Sequence, residues 1–233
     1  MVESRENPRP CPPARAPGLT APWHLLTRLV IGLGNPGPEH EWTPHNLGFH
    51  VVERIAAAEG SIFEPAAALA DWTGPRGFDW ARLPERDALL VKPLTFMNRS
   101  GSVVAPLARW CAADPHEVFA VFDDIDLPLG TLRIRPHGGT GGHRGVHSIV
   151  NELGSDRFPR LRIGVGRPRT DAARHVLTRF SEKERELAEV LVVEAAEALL
   201  FWLREGDLER CMTRFHSRWT PEGDKDARTK ESK

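Results

Sequence analysis

The side chains best suited to acid–base work at a carbonyl are Asn35, His45, Asn98, Asp123 and His143. A histidine near a carboxylate, with amide side chains around the pair, suffices for general-base hydrolysis. The imidazole takes a proton from water, the carboxylate holds the tautomer and stabilises the imidazolium, and the amides position a carbonyl and meet its developing oxyanion. No G-x-S-x-G elbow and no plausible catalytic cysteine is present, which disfavours a covalent acyl-enzyme. Metal chemistry competes for "FDDIDL" and the histidines. Yet there is no H-E-x-x-H, and on a continuing strand Asp124 and Asp126 would point to one side and Asp123 to the other. Singly, each residue also has a plain reading: His45 as an ordinary helix-start residue, Asn98 as a turn former before Ser100-Gly101, Asp123 as a cap or ion-pair partner.

Gly32, Gly34 and Gly37 add a G-x-G-x-x-G pattern directly after an apolar run. A dinucleotide loop needs a helix that opens at the glycines, so that its amides and dipole meet the pyrophosphate. Pro36 and Pro38 bracket the last glycine, and Thr43-Pro44 keeps the chain out of helical geometry for longer. The first helix is expected near His45 or Asn46, in "LGFHVVERIAAAEG" with Gly60 as its stop, and Glu53 falls inside it. The glycines are better matched to a tight turn that presents Asn35.

The elements that must position these residues alternate. "LLTRLVIGL", "FDWARL", "ALLVKP", "EVFAVFDD", "TLRIRP" and "RLRIGVG" read as strands; "SGSVVAPLARWCAAD", "GGHRGVHSIVNELG" and the acidic "SEKERELAEVLVVEAAEALLFWLREGDLER" read as helices, the last a single long one with a solvated acidic face. This is an α/β pattern: a single compact domain with a twisted mixed sheet flanked by helices. The short-linked pairs 78 to 91 and 118 to 135 are both expected to be hairpins. In open α/β sheets the functional loops gather beyond the carboxyl ends of parallel strands, so the polar residues can share one cleft.

Composition bounds the rest. The 233 residues are 40% hydrophobic and 27% charged, an ordinary globular balance, and no apolar run approaches the length of a membrane span. The three cysteines are far apart and odd in number, which fits a reducing cytoplasm better than a disulfide framework. Residues 1–25 read as a disordered Pro-rich tail, 26–219 as the domain, and 220–233 as a charged tail. The formal net charge of -1 hides a local excess: between Thr131 and Phe180 stand ten arginines and four histidines against three carboxylates. That density favours a phosphate-binding face over a set of surface ion pairs.

Taken together, "VIGLGNPGPEHEWTPHNLGF", "KPLTFMNRSG", "VFDDIDLPLGTLRIRPHGGTGGHRGVHSI" and "RLRIGVGRP" closely resemble bacterial-type peptidyl-tRNA hydrolase, in order and spacing, from about Leu29 to Pro168. The resemblance implies an enzyme that cleaves the ester between a peptide and the 3' end of tRNA, with neither metal nor organic cofactor. It implies His45 as the base and Asp123 as its orienting carboxylate. Asn35, His40, Phe96, Met97, Asn98, His143 and Arg144 fall at its substrate-binding positions, and Arg133 and Arg135 are the expected phosphate contacts. It further implies a cytoplasmic monomer with peptidyl-tRNA as its partner, no obligate protein partner and no membrane association.

Three positions depart from the family pattern: His40 stands where a Tyr is usual, Pro44 replaces the Arg before the catalytic His, and G-G-H-N-G appears as "GGHRG", which puts Arg144 in place of an Asn. An Arg donates hydrogen bonds but accepts none, and it brings a charge. The competing reading is therefore an RNA-binding protein on the same fold that has lost catalysis, as in the chloroplast intron-splicing relatives of the family. Retention of His45, Asp123, Asn35 and Asn98 together speaks for the enzyme. A general esterase or a nucleotide-dependent oxidoreductase is the weaker third reading.

Overall fold

A computed structural model describes residues 28–167 and 171–215. The expected tails, 1–25 and 220–233, lie outside the described residues. In chain order the regular elements are β1 (Arg28–Gly32), α1 (Leu47–Ala58), β2 (Glu64–Pro65), β3 (Phe78–Leu83), β4 (Ala88–Pro93), α2 (Gly101–Trp110), β5 (Val118–Asp124), β6 (Leu132–Arg135), α3 (Arg144–Leu153), β7 (Arg160–Gly164), α4 (Ala172–Leu177), α5 (Glu182–Glu205) and α6 (Leu208–Phe215).

The strands form one mixed sheet in the order β2-β3-β4-β1-β5-β7-β6. β4, β1, β5 and β7 run parallel, while β3, β2 and β6 join the two margins antiparallel. Each central strand reads as an apolar run because both of its faces are covered. Along β1 the residues alternate between two cores: Val30 packs with α1, α5 and α6, whereas Leu29 and Ile31 pack with α2 and α3. The result is three layers with β1 at the centre, so the loops after β1, β4 and β5 open on the same edge of the sheet.

Close packing at that edge requires glycine. A Cβ on Gly32 would lie 2.3 Å from the Gly48 carbonyl oxygen, and one on Gly48 would lie 2.4 Å from the Leu33 nitrogen and the Val121 carbonyl oxygen. With no side chain on either, the first turn of α1 sits directly on the ends of β1 and β5. That contact brings the residues just before α1 to the strand ends.

The hairpin expected over 78 to 91 is present, with Phe78 opposite Pro93 and Leu83 opposite Ala88. The hairpin expected over 118 to 135 is not: β7 lies between β5 and β6. All seven residues of β5 are buried, so the strand needs a partner on each side, whereas β6 alternates buried Leu132 and Ile134 with exposed Arg133 and Arg135, the pattern of an edge strand. The 125–131 link arches over the end of β7 instead, where Val165 N–H donates to the Asp124 carbonyl and Gly164 N–H to that of Thr131. The single long C-terminal helix expected from the acidic segment also divides. Gly206 adopts a left-handed φ of 69°, ends α5 and lets α6 turn back onto the sheet, where Cys211 and Phe215 complete the core.

Candidate active site

All the residues expected to act on substrate, except Arg133 and Arg135, line one cleft of about 620 Å³ at the carboxyl edge of the sheet. Asp123, near the end of β5, is 3% exposed. His45 lies in a 3-10 turn, Pro44–Asn46, immediately before α1. Its Nδ1 is 2.7 Å from Asp123 Oδ1. A carboxylate only accepts, so Nδ1 carries the proton and Nε2 keeps its lone pair. This is the tautomer that a general base needs.

His143 approaches the same oxygen, with Nε2 at 3.1 Å from Asp123 Oδ1. It also caps α3: its Nδ1 accepts from the backbone N–H groups of Gly145 and Val146 at 3.2 and 3.3 Å. A nitrogen that accepts two amides bears no proton, so Nε2–H must be the group that donates to Asp123. His143 is therefore a second donor to the carboxylate and stands beside the His45 ring, with centroids 5.0 Å apart. Burial alone would raise the Asp123 carboxyl, but the hydrogen bonds from His45 and His143, and the positive charge either ring carries when protonated, outweigh it and hold the group well below the usual carboxylate range. The ligand atoms of His45, Asp123 and His143 lie within 4.8 Å of one another, as a metal site would require. Both facing nitrogens, however, already donate protons to one oxygen, so a metal would have to displace those protons. In the other cluster, Asp114, His116 and half-buried Glu117, the two carboxylates cap a 3-10 turn.

The amide groups are oriented by backbone. Asn35 is 8% exposed, and its Oδ1 accepts the Met97 N–H at 3.1 Å. That leaves its Nδ2 as the group presented to the cleft, a donor suited to a carbonyl oxygen. Asn35 is itself held by Asn46, which accepts its N–H at 2.8 Å and donates to its carbonyl at 3.0 Å. Gly37, with φ 113°, then turns the chain away from the sheet. Asn98 is exposed on the facing loop, beside Phe96, which is 72% exposed. Met97 is buried against Gly145 of α3.

His40 lines the cleft 3.8 Å from Glu39, with Nδ1 buried and unpaired among the described residues. Arg144, the first residue of α3, is exposed and makes no ion pair among the described residues. Arg133 and Arg135 lie outside the cleft, on the exposed face of β6. Asp124 is not a further catalytic carboxylate: it ion-pairs with Arg162 and accepts the Asp126 N–H. Cys111 and Cys211 are buried in the two cores, and burial pushes both thiols up to about 12, so neither is a nucleophile at neutral pH.

Sequence reasoning missed three contributors. Asn46 has a signal, its place beside His45, but its partner is eleven residues away. Arg160 is 1% exposed and gives its donors to the carbonyls of Phe158, Asp156, Gly138 and Gly139, anchoring the glycine loop that leads to His143. Burial lowers its guanidinium to about 10. The apolar wall made by Ala172, Ala173, Val176 and Leu177 of α4 carries no motif at all.

A buried carboxylate that orients a histidine over an open cleft, on an α/β sheet and with no thiol or serine among the described residues that line the cleft, defines a hydrolase that works through activated water. The comparisons with known proteins narrow the class. The sequence profile described as peptidyl-tRNA hydrolase matches residues 29–223. Peptidyl-tRNA hydrolase of Syntrophomonas wolfei is 44% identical over 179 residues, covering 77% of this chain and 94% of that protein. That of Akkermansia muciniphila is 42% identical over 181 residues, covering 77% and 90%. The crystal structure of peptidyl-tRNA hydrolase from Acinetobacter baumannii superposes with a TM-score of 0.74 at 29% identity, covering 83% of this chain and 96% of that one. The chain belongs to the peptidyl-tRNA hydrolase family.

Proposed function

We infer that this protein hydrolyses the ester between the peptide and the 3' end of tRNA in peptidyl-tRNA released prematurely from ribosomes, and so recycles tRNA. The observation that carries the reading is the 2.7 Å hydrogen bond from His45 Nδ1 to the buried Asp123, which leaves Nε2 free to take a proton in a cleft lined by Asn35 and Asn98. In this mechanism a water gives its proton to His45 Nε2 as its oxygen attacks the ester carbonyl carbon. Asp123 stabilises the imidazolium, and the Asn35 amide donates to the oxyanion. Collapse of the tetrahedral intermediate breaks the bond to the ribose oxygen, which takes the proton from Nε2. The products are a free peptide and tRNA.

His143 acts as a second donor that keeps Asp123 ionised. His40, Phe96, Met97 and Asn98 hold the ends of peptide and nucleotide around the ester. Arg144, Arg133 and Arg135 meet phosphates, which gives the exposed arginine face its use. A site built from amides pairs with a peptide bond next to the ester, whereas a free ammonium leaves those groups mismatched, so blocked substrates are preferred. Among the described residues no helix is long and apolar enough to cross a membrane. The reading is of a cytoplasmic monomer that needs no protein partner.

The test is release of N-blocked peptide from peptidyl-tRNA by the wild type and His45→Ala, with unblocked aminoacyl-tRNA as the control. Release that is confined to the blocked substrate and is lost in His45→Ala supports the reading. No release by the wild type, with tRNA still bound, replaces it with an RNA-binding protein in which Arg144 has ended catalysis.

A further inference from the structure

The loop that carries His45 is gripped by contacts that hydrolysis does not use. Trp42, three residues before His45, has φ 54°, a region a bulky L residue occupies only when its surroundings hold it there. Its indole stacks on the His50 ring, with centroids 4.1 Å apart and planes 15° from parallel, and the Arg185 guanidinium lies 4.6 Å from the indole centroid. The Trp42 N–H points to His50 Nε2 at 3.4 Å, and the Trp42 carbonyl accepts the Phe180 N–H at 3.0 Å. Arg179 donates to the Pro38 carbonyl at 2.6 Å. One loop is thus tied both to α1 and to the start of α5. Beyond Trp42 it continues through buried Thr43, whose N–H and hydroxyl both donate to the His40 carbonyl, to Pro44, His45 and Asn46.

We propose that Trp42 is a positioning residue for the base: the stack of Trp42 with His50 and Arg185 holds the 37–46 loop so that His45 Nδ1 meets Asp123 and Nε2 faces the ester. The indole lies outside the cleft, which is lined by His40 and His45 of this loop but not by Trp42. It therefore acts on turnover through His45 and not by touching substrate. A rigid anchor suits the chemistry, because a displacement of about 1 Å in a catalytic group is enough to cost on the order of a hundredfold in rate.

The φ value separates the side chain's role from that of the backbone. Glycine accepts a left-handed φ more readily than tryptophan, so Trp42→Gly keeps the turn and removes the indole, with its stack on His50, its contact with Arg185 and its packing against the core; the melting temperature reports the last of these. The experiment measures kcat and KM on N-blocked peptidyl-tRNA, with the melting temperature, for full-length Trp42→Gly, Trp42→Phe and Arg185→Gln. The expected result is a kcat about tenfold lower in Trp42→Gly at a KM within about twofold of wild type, recovery to within about threefold in Trp42→Phe, and an intermediate loss in Arg185→Gln. Wild-type kcat in Trp42→Gly overturns the proposal, as does a loss confined to KM or a Trp42→Phe no better than the glycine variant. If Trp42→Gly does not fold, Arg185→Gln decides: lower kcat at unchanged KM in a folded protein supports the clamp, and unchanged kcat overturns it. The proposal rests on His45 as base. An active His45→Ala removes that reading, whereas an inactive His45→Ala beside a fully active Trp42→Gly removes the clamp alone.

Discussion

Asn46 holds Asn35 by both sides of its backbone, accepting the N–H at 2.8 Å and donating to the carbonyl at 3.0 Å. One amide side chain thus couples the turn after β1 to the helix start that bears His45. Both groups it satisfies are buried, so Asn46→Ala leaves an unpaired donor and an unpaired acceptor, at a cost of about 1–3 kcal/mol each. The expected outcome is a fall in kcat/KM together with a lower denaturant midpoint. Full activity in a protein of unchanged midpoint would mean that another group takes over the bridge.

Asp123 accepts from His45 and His143 through one oxygen. An asparagine oxygen at this position can still accept from both imidazoles, but the amide carries no charge to fix the His45 tautomer or to stabilise the imidazolium that forms there. Asp123→Asn is expected to lower kcat by about 10²- to 10⁴-fold with little change in KM. Single-turnover kinetics on peptidyl-tRNA measure this directly, and a rate within threefold of wild type would remove the orienting role.

The depressed Asp123 carboxyl also links stability to pH. Its folded value lies below the unfolded value of 3.8, so its contribution is fully present above about pH 4 and is lost as pH falls below 3.8 toward the folded value. The stability difference between wild type and Asp123→Asn is therefore expected to be constant from pH 7 to 5 and to narrow below pH 4. Denaturant titrations at each pH provide the check; a difference that widens in acid contradicts the sign.

Gly48→Ala tests how the helix is seated. Its Cβ would fall 2.4 Å from backbone atoms of both Leu33 and Val121, neither of which can move without shifting a central strand. A destabilisation of about 3 kcal/mol or more is expected, at the upper end for single substitutions. Thermal unfolding of this variant beside Gly60→Ala, whose site is open but has φ 65°, separates overpacking from backbone strain.

If the exposed arginines meet tRNA phosphates, affinity must fall with salt. Arg133→Ala and Arg135→Ala are each expected to reduce the slope of log K against log salt by roughly 0.7 to 0.9. Arg144→Asn is expected to raise KM more than it lowers kcat, since its charge lies in the cleft while His45 and Asp123 are paired without it. A slope unchanged by all three would place the phosphate path elsewhere.

Local signals carried the sheet and helices far. Apolar runs marked the central strands, Gly60 and Gly154 followed helix ends, and the prolines after Gly34 spoke against a nucleotide loop. They failed where pairing is non-local. A short link between β5 and β6 looks like a hairpin, but β7, which begins at Arg160 after β6 has ended at Arg135, takes the place between them. Gly206 lay in plain view inside the acidic segment as a local helix stop, but where the chain goes after it is set by the core that Cys211 and Phe215 complete.

By itself the sequence determined which residue types are available for the chemistry: a histidine, a carboxylate and amides at turn-forming places, with arginines concentrated in one stretch. It determined the class of fold as well, because strand and helix periods are properties of neighbouring residues. Only the tertiary structure decided that Nδ1 of His45 and Nε2 of His143 share one Asp123 oxygen, that Asn46 grips Asn35, and that Arg160 spends its charge on glycine carbonyls. Those relations join positions from eleven to seventy-eight residues apart. Hydrogen-bond geometry depends on distances of a few tenths of an ångström, and such distances are set by how the layers pack, not by any period along the chain.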